Sequence, residues 1–187
     1  MLHPVRKQAP TDLPVSLATA KLHLRIDPEV NLEDELVLFL IQAATDHLDG
    51  WTGTLGRCLA KQVWEQAFES DYGCLHLPLG PVLTVDSIAY PDEGEGTETD
   101  EGFVTTTDAG GRTYIRVANP TGKPVVVTYT AGHEVDDIPP AIRQAILLFV
   151  GAWYENREET AIGVSVSALP ESVAAHALLR PYRRTGF

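Results

Sequence analysis

The densest group of side chains that could do chemistry is the segment GHEVDDI. His133, Glu134, Asp136 and Asp137 could bind a divalent metal ion or share acid–base work, because imidazole and carboxylate groups suit both roles. A metal site, however, needs ligands that converge at about 2.0–2.5 Å, usually from more than one segment. Asp136 and Asp137 have a simpler role beside the positive end of a helix predicted to start near Pro139. We therefore predict no metal, no cofactor and no catalytic residue here.

Other signatures of catalysis are missing from the sequence. It contains no GxSxG, HExxH, P-loop or GxGxxG motif. Cys58 and Cys74 have no CxxC or zinc-like spacing, and we expect both to be reduced, partly buried thiols. The sequence therefore predicts a protein that is not an enzyme.

The charge balance excludes two broad classes of partner. The 187 residues carry a formal net charge of −12, which repels nucleic acids and anionic membranes. Residues 92–101 alone hold six carboxylates, and we expect them to form a solvated hairpin tip or loop of open function. The longest apolar run, AILLFVGAWY, is shorter than the roughly 20 residues that cross a bilayer, and the N-terminus has no apolar signal core. We expect a soluble protein made in the cytoplasm.

The C-terminal segment LLRPYRRTGF differs from the acidic remainder of the chain. Arg180, Arg183 and Arg184 lie close together, although the chain has only 14 Lys and Arg residues. Tyr182 and Phe187 add rigid apolar area, and aromatic residues and arginine are the usual anchors of protein interfaces. The segment either packs on its own domain or docks into another protein, and the residue types favour docking.

Hydrophobic periodicity predicts helices at both ends of the chain. SLATAKLHLRI gives a short helix capped by Ser16, and a clearer helix follows from an N-cap at Asn31 to Gly50 and Gly53. Between Cys58 and about Tyr129 the period changes to short β-type runs separated by turn signals. Because no helix-length segment separates them, these strands should be antiparallel.

The segment PPAIRQAILLFVGAWYENRE predicts a helix that is apolar nearly all round. In a chain of this size, some of its cover could come from a neighbouring subunit. The candidate interface residues are Ile146, Leu147, Val150, Trp153 and Tyr154. Residues 159–170 are predicted to be a loop or strand-like connector before a last short helix.

These elements predict an α+β fold. A small helical bundle is built from residues 16–57 and 132–179, and an antiparallel β subdomain, residues 58–131, is inserted between them. Residues 1–15 are expected to be a flexible lead. Residues 180–187 are expected to be an extended docking tail.

The order of several motifs resembles a known family. LATAKLHLRID, WTGTLGRCLAKQVWE, LPLGPVLTVDSIAY, VVVTYTAG, IPPAIRQAILLFVGAWYENRE and LLRPYRR follow one another as in the head–tail connector (adaptor) proteins of long-tailed bacteriophages, which have relatives in prophages and gene transfer agents. The resemblance extends from about Ser16 to Phe187. It leaves out the N-terminal lead and the acidic loop.

The resemblance implies a structural virion protein of the neck, assembled in the bacterial host cytoplasm. Its partners would be copies of itself in a ring of twelve, the portal protein and the next neck or tail-completion protein, with DNA only as passing cargo and no membrane. In the family, the C-terminal segment docks on the portal. By position, this contact would comprise Arg180, Pro181, Tyr182, Arg183, Arg184 and Phe187.

Two other functions stay open on the residues alone. One is a non-catalytic ligand-binding β module on a helical stalk, and the other is a small metal-dependent enzyme using His133, Asp136 and Asp137. The acidic balance could also keep DNA from adhering to a ring lumen, because negative charge repels phosphates.

Overall fold

A computed structural model describes residues 3–91, 97–99, 102–156 and 173–184. The chain divides into two compact units at positions 56/57 and 134/135. We call residues 12–56 and 135–185 the helical unit, and residues 1–11 and 57–134 the β unit. The composition is mixed α+β with antiparallel sheets, so the predicted fold class is confirmed.

The described part of the helical unit contains four α-helices. They are α1 (Leu17–Leu24), α2 (Asp34–Leu48), α3 (Pro140–Glu155) and α4 (Val173–Leu179). As predicted, Ser16 caps α1, because its hydroxyl accepts a hydrogen bond from the amide of Thr19 at 3.2 Å. The predicted N-cap of α2 was wrong. The helix begins at Asp34 after Glu33, and Asn31 lies in the preceding turn.

Helix α3 lies against the other three helices of its unit. Its buried residues fall on more than one face, as the nearly continuous apolar sequence requires. They are Ile142, Ala145, Ile146, Leu147, Phe149 and Val150. The helical unit itself therefore buries much of the apolar surface of α3 for which the sequence suggested a neighbouring subunit.

The described part of the β unit contains eight short strands. They are β1 (Val5–Gln8), β2 (Gln62–Phe68), β3 (Leu75–Leu77), β4 (Val82–Pro91), β5 (Thr97–Thr99), β6 (Phe103–Thr107), β7 (Thr113–Val117) and β8 (Val125–Ala131). One sheet has the strand order β1-β2-β8-β4-β5, and the other has the order β3-β7-β6. All of these strand pairs are antiparallel, as predicted.

The alternation of strand residues places one face of each sheet in the core. Leu75 and Leu77 of β3 and Ile115 and Val117 of β7 are buried, and the residues between them are not. Both cysteines are free thiols. Cys58 is buried, but Cys74 is exposed rather than partly buried, because it precedes β3 in a turn.

The predicted flexible lead is partly wrong. Residues 5–8 form β1, which pairs with β2, and Lys7 forms an ion pair with Glu65 at 3.0 Å. All four side chains of β1 are exposed, so no apolar alternation marks this strand in the sequence. Most of the predicted acidic loop lies outside the described residues, although the backbone of residues 97–99 pairs with the end of β4.

Candidate docking site

The predicted docking residues come directly after a helix, α4, that is packed into the helical unit. Helix α4 buries Ala175 and Leu179. A 3-10 turn, Arg180–Tyr182, continues from its last residue, and the amide of Arg183 donates a hydrogen bond to the carbonyl of Leu179 at 3.2 Å. We call residues 180–184 the arginine turn.

A second hydrogen bond ties the arginine turn to the loop after α2. The amide of Arg184 donates to the carbonyl of Leu55 at 3.0 Å, and Leu55 itself is buried. That loop is held back on α2, because the amide of Thr54 bonds the carbonyl of His47 at 2.9 Å. Gly53 is required there, since a Cβ at this position would clash with the backbone of Asp49. The loop is therefore a rigid support for the turn.

The extended tail predicted from the sequence is wrong as far as Arg184. The chain folds into the arginine turn and is bonded to its own unit, because the backbone groups after α4 find partners in Leu179 and Leu55. The remaining predicted docking residue, Phe187, lies outside the described residues.

The side chains of the arginine turn are available to a partner. Arg180, Pro181 and Arg183 are exposed, and Tyr182 is half-buried. Among the residues that the structure describes, neither Arg180 nor Arg183 forms an ion pair. At Arg180 and Arg183 the turn thus presents positive charge that no described carboxylate pairs with, in a protein of net charge −12.

Ring contacts hold α4 in place beneath this turn. The Phe149 ring of α3 contacts the rings of His176 on α4, His47 on α2 and Trp153, with centroid distances of 6.1, 5.5 and 5.6 Å. The contacts with the two histidines are edge-to-face, which is a favourable aromatic geometry. The docking residues are thereby connected to α2 and α3 through packed side chains.

The predicted subunit-interface residues divide into two groups. Ile146, Leu147 and Val150 are buried within the chain, so the prediction that a neighbouring subunit covers them was wrong. The reason is that other helices of the same unit pack around α3. Trp153 and Tyr154 are half-exposed, and the Tyr154 hydroxyl donates a hydrogen bond to the carboxylate of Glu33.

The GHEVDDI segment forms no metal centre in the described chain. Within residues 3–91, 97–99, 102–156 and 173–184, no three His, Cys, Asp or Glu side chains converge in a group that could hold a metal ion. Glu134 forms a surface ion pair with Lys61 at 3.3 Å, and Val135–Asp137 form a 3-10 turn. In the same part of the chain, no helix is long and apolar enough to cross a membrane.

Sequence reasoning missed several buried charged residues, and Asp71 and Lys21 are two of them. The carboxylate of Asp71 is fully buried in the β unit and accepts hydrogen bonds from the Thr121 amide at 2.7 Å, the Gly122 amide at 2.6 Å and the Tyr90 hydroxyl at 3.1 Å. Burial acts to raise the pKa of Asp71, but these hydrogen bonds outweigh it and leave the pKa below its ordinary value.

The second missed residue is Lys21 of α1, which is buried in the helical unit. Its ammonium group donates to the carbonyl oxygens of Pro28 at 3.0 Å and Val30 at 2.7 Å, and it pairs with the carboxylate of Asp34 at 2.8 Å. No sequence pattern marks either residue, because half of the partners of each are backbone groups.

One family model matches the C-terminal part of the chain. Residues 112–183 match the family model of the Phage gp6-like head-tail connector protein. This match includes α3, α4 and most of the arginine turn. No curated protein matches the sequence.

Solved structures share the fold along the whole chain. A protein in the neck of an empty GTA particle, computed with C6 symmetry, is 22% identical with a TM-score of 0.77, and the match covers 100% of this chain and 97% of that chain. Chains from the virion of a native gene transfer agent (GTA) particle and from its neck, computed with C12 symmetry, match with the same identity and coverage and with TM-scores of 0.76 and 0.73. Residues 112–183 therefore match the model of the phage gp6-like head–tail connector family, the family that the sequence resembles, and the whole chain shares its fold with these particle proteins.

Proposed function

We propose that this protein is a structural, non-catalytic subunit of a virion neck. It forms a ring, docks on the portal, and joins the DNA-filled head to the next neck or tail-completion protein. The observation that carries the proposal is the connector match over residues 112–183, which includes most of the arginine turn. The full-length likeness to neck proteins of gene transfer agent particles supports it.

The geometry of the arginine turn supports a docking role. Arg180 and Arg183 project from a turn that two backbone hydrogen bonds hold to buried residues. A prefolded contact loses less conformational entropy on binding than a disordered arm does. The partner surface on the portal should be acidic with a hydrophobic pocket, because arginine and tyrosine are the anchors that the turn offers. Phe187 remains part of the proposed contact.

The ring contact would use the half-exposed end of α3. Trp153 and Tyr154 are the predicted interface residues that the chain leaves partly accessible. The related necks were computed with C6 and C12 symmetry, and we propose a ring of twelve by analogy. A closed ring requires each copy to contact the next through two different surfaces.

DNA would pass through this ring without being bound. The net charge of −12 repels phosphates, which suits a passage through which DNA slides. The protein would be assembled in the host cytoplasm and reside in the neck of the particle.

Co-sedimentation with the portal ring of the same particle tests the docking contact. The double variant Arg180→Glu/Arg183→Glu should bind more than about tenfold more weakly than the unchanged chain, because loss of interface hot spots of this kind typically costs 2 kcal/mol or more. The matched control is Arg112→Glu/Lys123→Glu, which makes the same charge change at exposed residues of the β unit. It should bind like the unchanged chain.

A truncated chain ending at Leu179 separates docking from folding, because it retains the buried end of α4. Equal binding by the truncated and full-length chains would move the contact from the arginine turn to the body of the protein. If the unchanged chain fails to bind the portal ring, the connector function itself is contradicted.

A further inference from the structure

The edge of the three-stranded sheet at β6 lacks the protection that natural edge strands usually carry. β6 is the sequence FVTTT, and its register with β7 is continuous over all five residues. It contains no charged residue and no proline, and Val and Thr are strong strand formers. No strand among the described residues pairs with its other side.

The other sheet edges are protected. β1 carries Arg6 and Lys7, and its register is irregular between Arg6 and Gln8. β3 and β5 are only three residues long. Charge, irregular register and short length are the usual devices that keep edge strands from pairing with another chain. β6 is therefore the exception within the described β unit.

The backbone of β6 presents hydrogen-bonding groups to this edge. At one end of the ladder Ala118 donates to Gly102 at 2.7 Å, and at the other Asp108 donates to Arg112 at 2.9 Å. Hydrogen-bonded and non-hydrogen-bonded residue pairs alternate in an antiparallel ladder. Because residues 102 and 108 belong to hydrogen-bonded pairs, the even-numbered residues of β6 direct their N–H and C=O groups toward β7. Phe103, Thr105 and Thr107 therefore direct theirs toward the open edge.

A shallow groove lies beside this edge on the outer face of the sheet. It has a volume of about 350 Å³ and is lined by Cys74, Val104, Thr106, Tyr114, Ile115 and Arg116. Val104 is 63% exposed, which is unusual for a branched apolar residue in an ordered strand. An open edge next to a groove for side chains is the arrangement that binds an extended peptide by strand addition.

The positive charge beside the groove favours a peptide with an acidic side chain. Arg116 is the only charged residue among the described residues that line the groove, and the guanidinium donates a hydrogen bond to the sulfur of Cys74 at 3.3 Å. This bond and the charge interaction with Cys74 raise the pKa of Arg116, and a guanidinium is cationic in proteins in any case. Among the residues that the structure describes, no carboxylate lines the groove, although the chain as a whole is acidic.

We infer that β6 and its groove bind an extended segment of another protein. This segment adds as a strand to β6, and it carries an acidic side chain for Arg116 and an apolar side chain for the surface of Val104 and Tyr114. The contact is separate from the arginine turn and gives the protein a second docking surface.

NMR titration of the ¹⁵N-labelled full chain tests this inference. The probe is the peptide acetyl-Ser-Val-Thr-Val-Glu-Val-Ser-amide, and its twin has Lys in place of Glu. We expect backbone amide shifts confined to β6, β7 and their groove, with the Glu peptide binding about threefold more tightly than the Lys peptide, the scale of an exposed ion pair. Arg116→Glu should reverse this preference.

A proline variant tests the strand geometry. Thr105→Pro removes an edge N–H without removing a bond to β7, and it should weaken peptide binding about tenfold, whereas Thr105→Ala should not. The inference is overturned if millimolar Glu peptide leaves the β6 amides unshifted, or if Arg116→Glu leaves the preference unchanged. Shifts of the β6 amides that depend on protein concentration without peptide would also overturn it, because a second copy would then be the occupant.

Discussion

At the scale of single residues, Asp71 is the clearest case of a buried charge that works through hydrogen bonds alone. Its carboxylate joins the end of β2 to the loop between β7 and β8 through Thr121 and Gly122. Gly122 has a φ of +81°, and a Cβ there would lie 2.7 Å from the ring of Tyr72. The position therefore requires glycine, and the loop has one conformation that fits the carboxylate.

This arrangement predicts a pH-dependent stability. The folded-state pKa of Asp71 is lowered, so its contribution is complete above the unfolded-state pKa near 4 and is lost as the pH falls through the folded-state value. Asp71→Asn should lower the free energy of unfolding at pH 7 by about 2 kcal/mol, because an amide cannot accept all of these bonds. The difference between the two chains should shrink below about pH 4.

Urea denaturation across pH 3–7 measures this difference. Glu69→Gln is the matched control, because Glu69 is an exposed carboxylate two residues away. It should change the stability by less than about 0.5 kcal/mol at every pH. If Asp71→Asn lowers the free energy of unfolding by the same amount from pH 7 to pH 3, the role of the ionised carboxylate is contradicted.

At the scale of elements, Lys21 fixes the connection between α1 and α2. The ammonium group bonds two carbonyls of the connection and the first residue of α2, while Leu32 of the same connection is 91% exposed. A buried lysine thus orders a segment that has few apolar contacts of its own.

Lys21→Met should lower the free energy of unfolding by about 2–3 kcal/mol, because it leaves carbonyl oxygens without a donor and Asp34 without its cation. The value lies below that of a fully buried pair because the side chain of Asp34 is 26% exposed. Urea denaturation measures the effect, and Lys123→Met at an exposed position is the control. If the two variants lose the same stability, Lys21 does not hold the connection.

The elements also explain how far the sequence could predict this fold. Helix and strand periods, turn residues and the Ser16 cap were sufficient for the α+β class and for antiparallel strands. The sequence does not define which face of α2 is buried. Val37 and Ile41 are fully buried and Phe39 is exposed, because the run LVLFLI is apolar on every side and its period does not select one face.

The sequence indicated which residues form the candidate docking site, but it did not indicate that they fold into a turn. Arginine and aromatic content marked residues 180–187, and the arrangement of motifs indicated the connector family. The bond from Arg184 to Leu55 joins residues far apart in sequence, and backbone-to-backbone contacts leave no residue pattern. For the same reason β1 could not be predicted. The partners of Asp71 could not be predicted because they lie 19 to 51 residues away in sequence.

At the scale of the whole molecule, negative and positive charge are concentrated on different segments of the chain. The net charge is −12, six carboxylates lie within residues 92–101, and the arginine turn concentrates positive charge near the C-terminus. Such a distribution suits a protein that repels DNA and binds other proteins at defined surfaces. We propose that the arginine turn contacts the portal, the half-exposed end of α3 contacts neighbouring copies, and the β6 edge contacts a further partner.

The central claim is that this protein is a ring subunit of the neck. Cryo-electron microscopy of particles purified from producing cells tests it most directly. We predict twelve copies of this fold in one ring immediately below the portal, with the arginine turn of each copy against the portal surface. A neck whose density cannot accommodate this fold, or particles of normal structure assembled without this chain, would contradict the account.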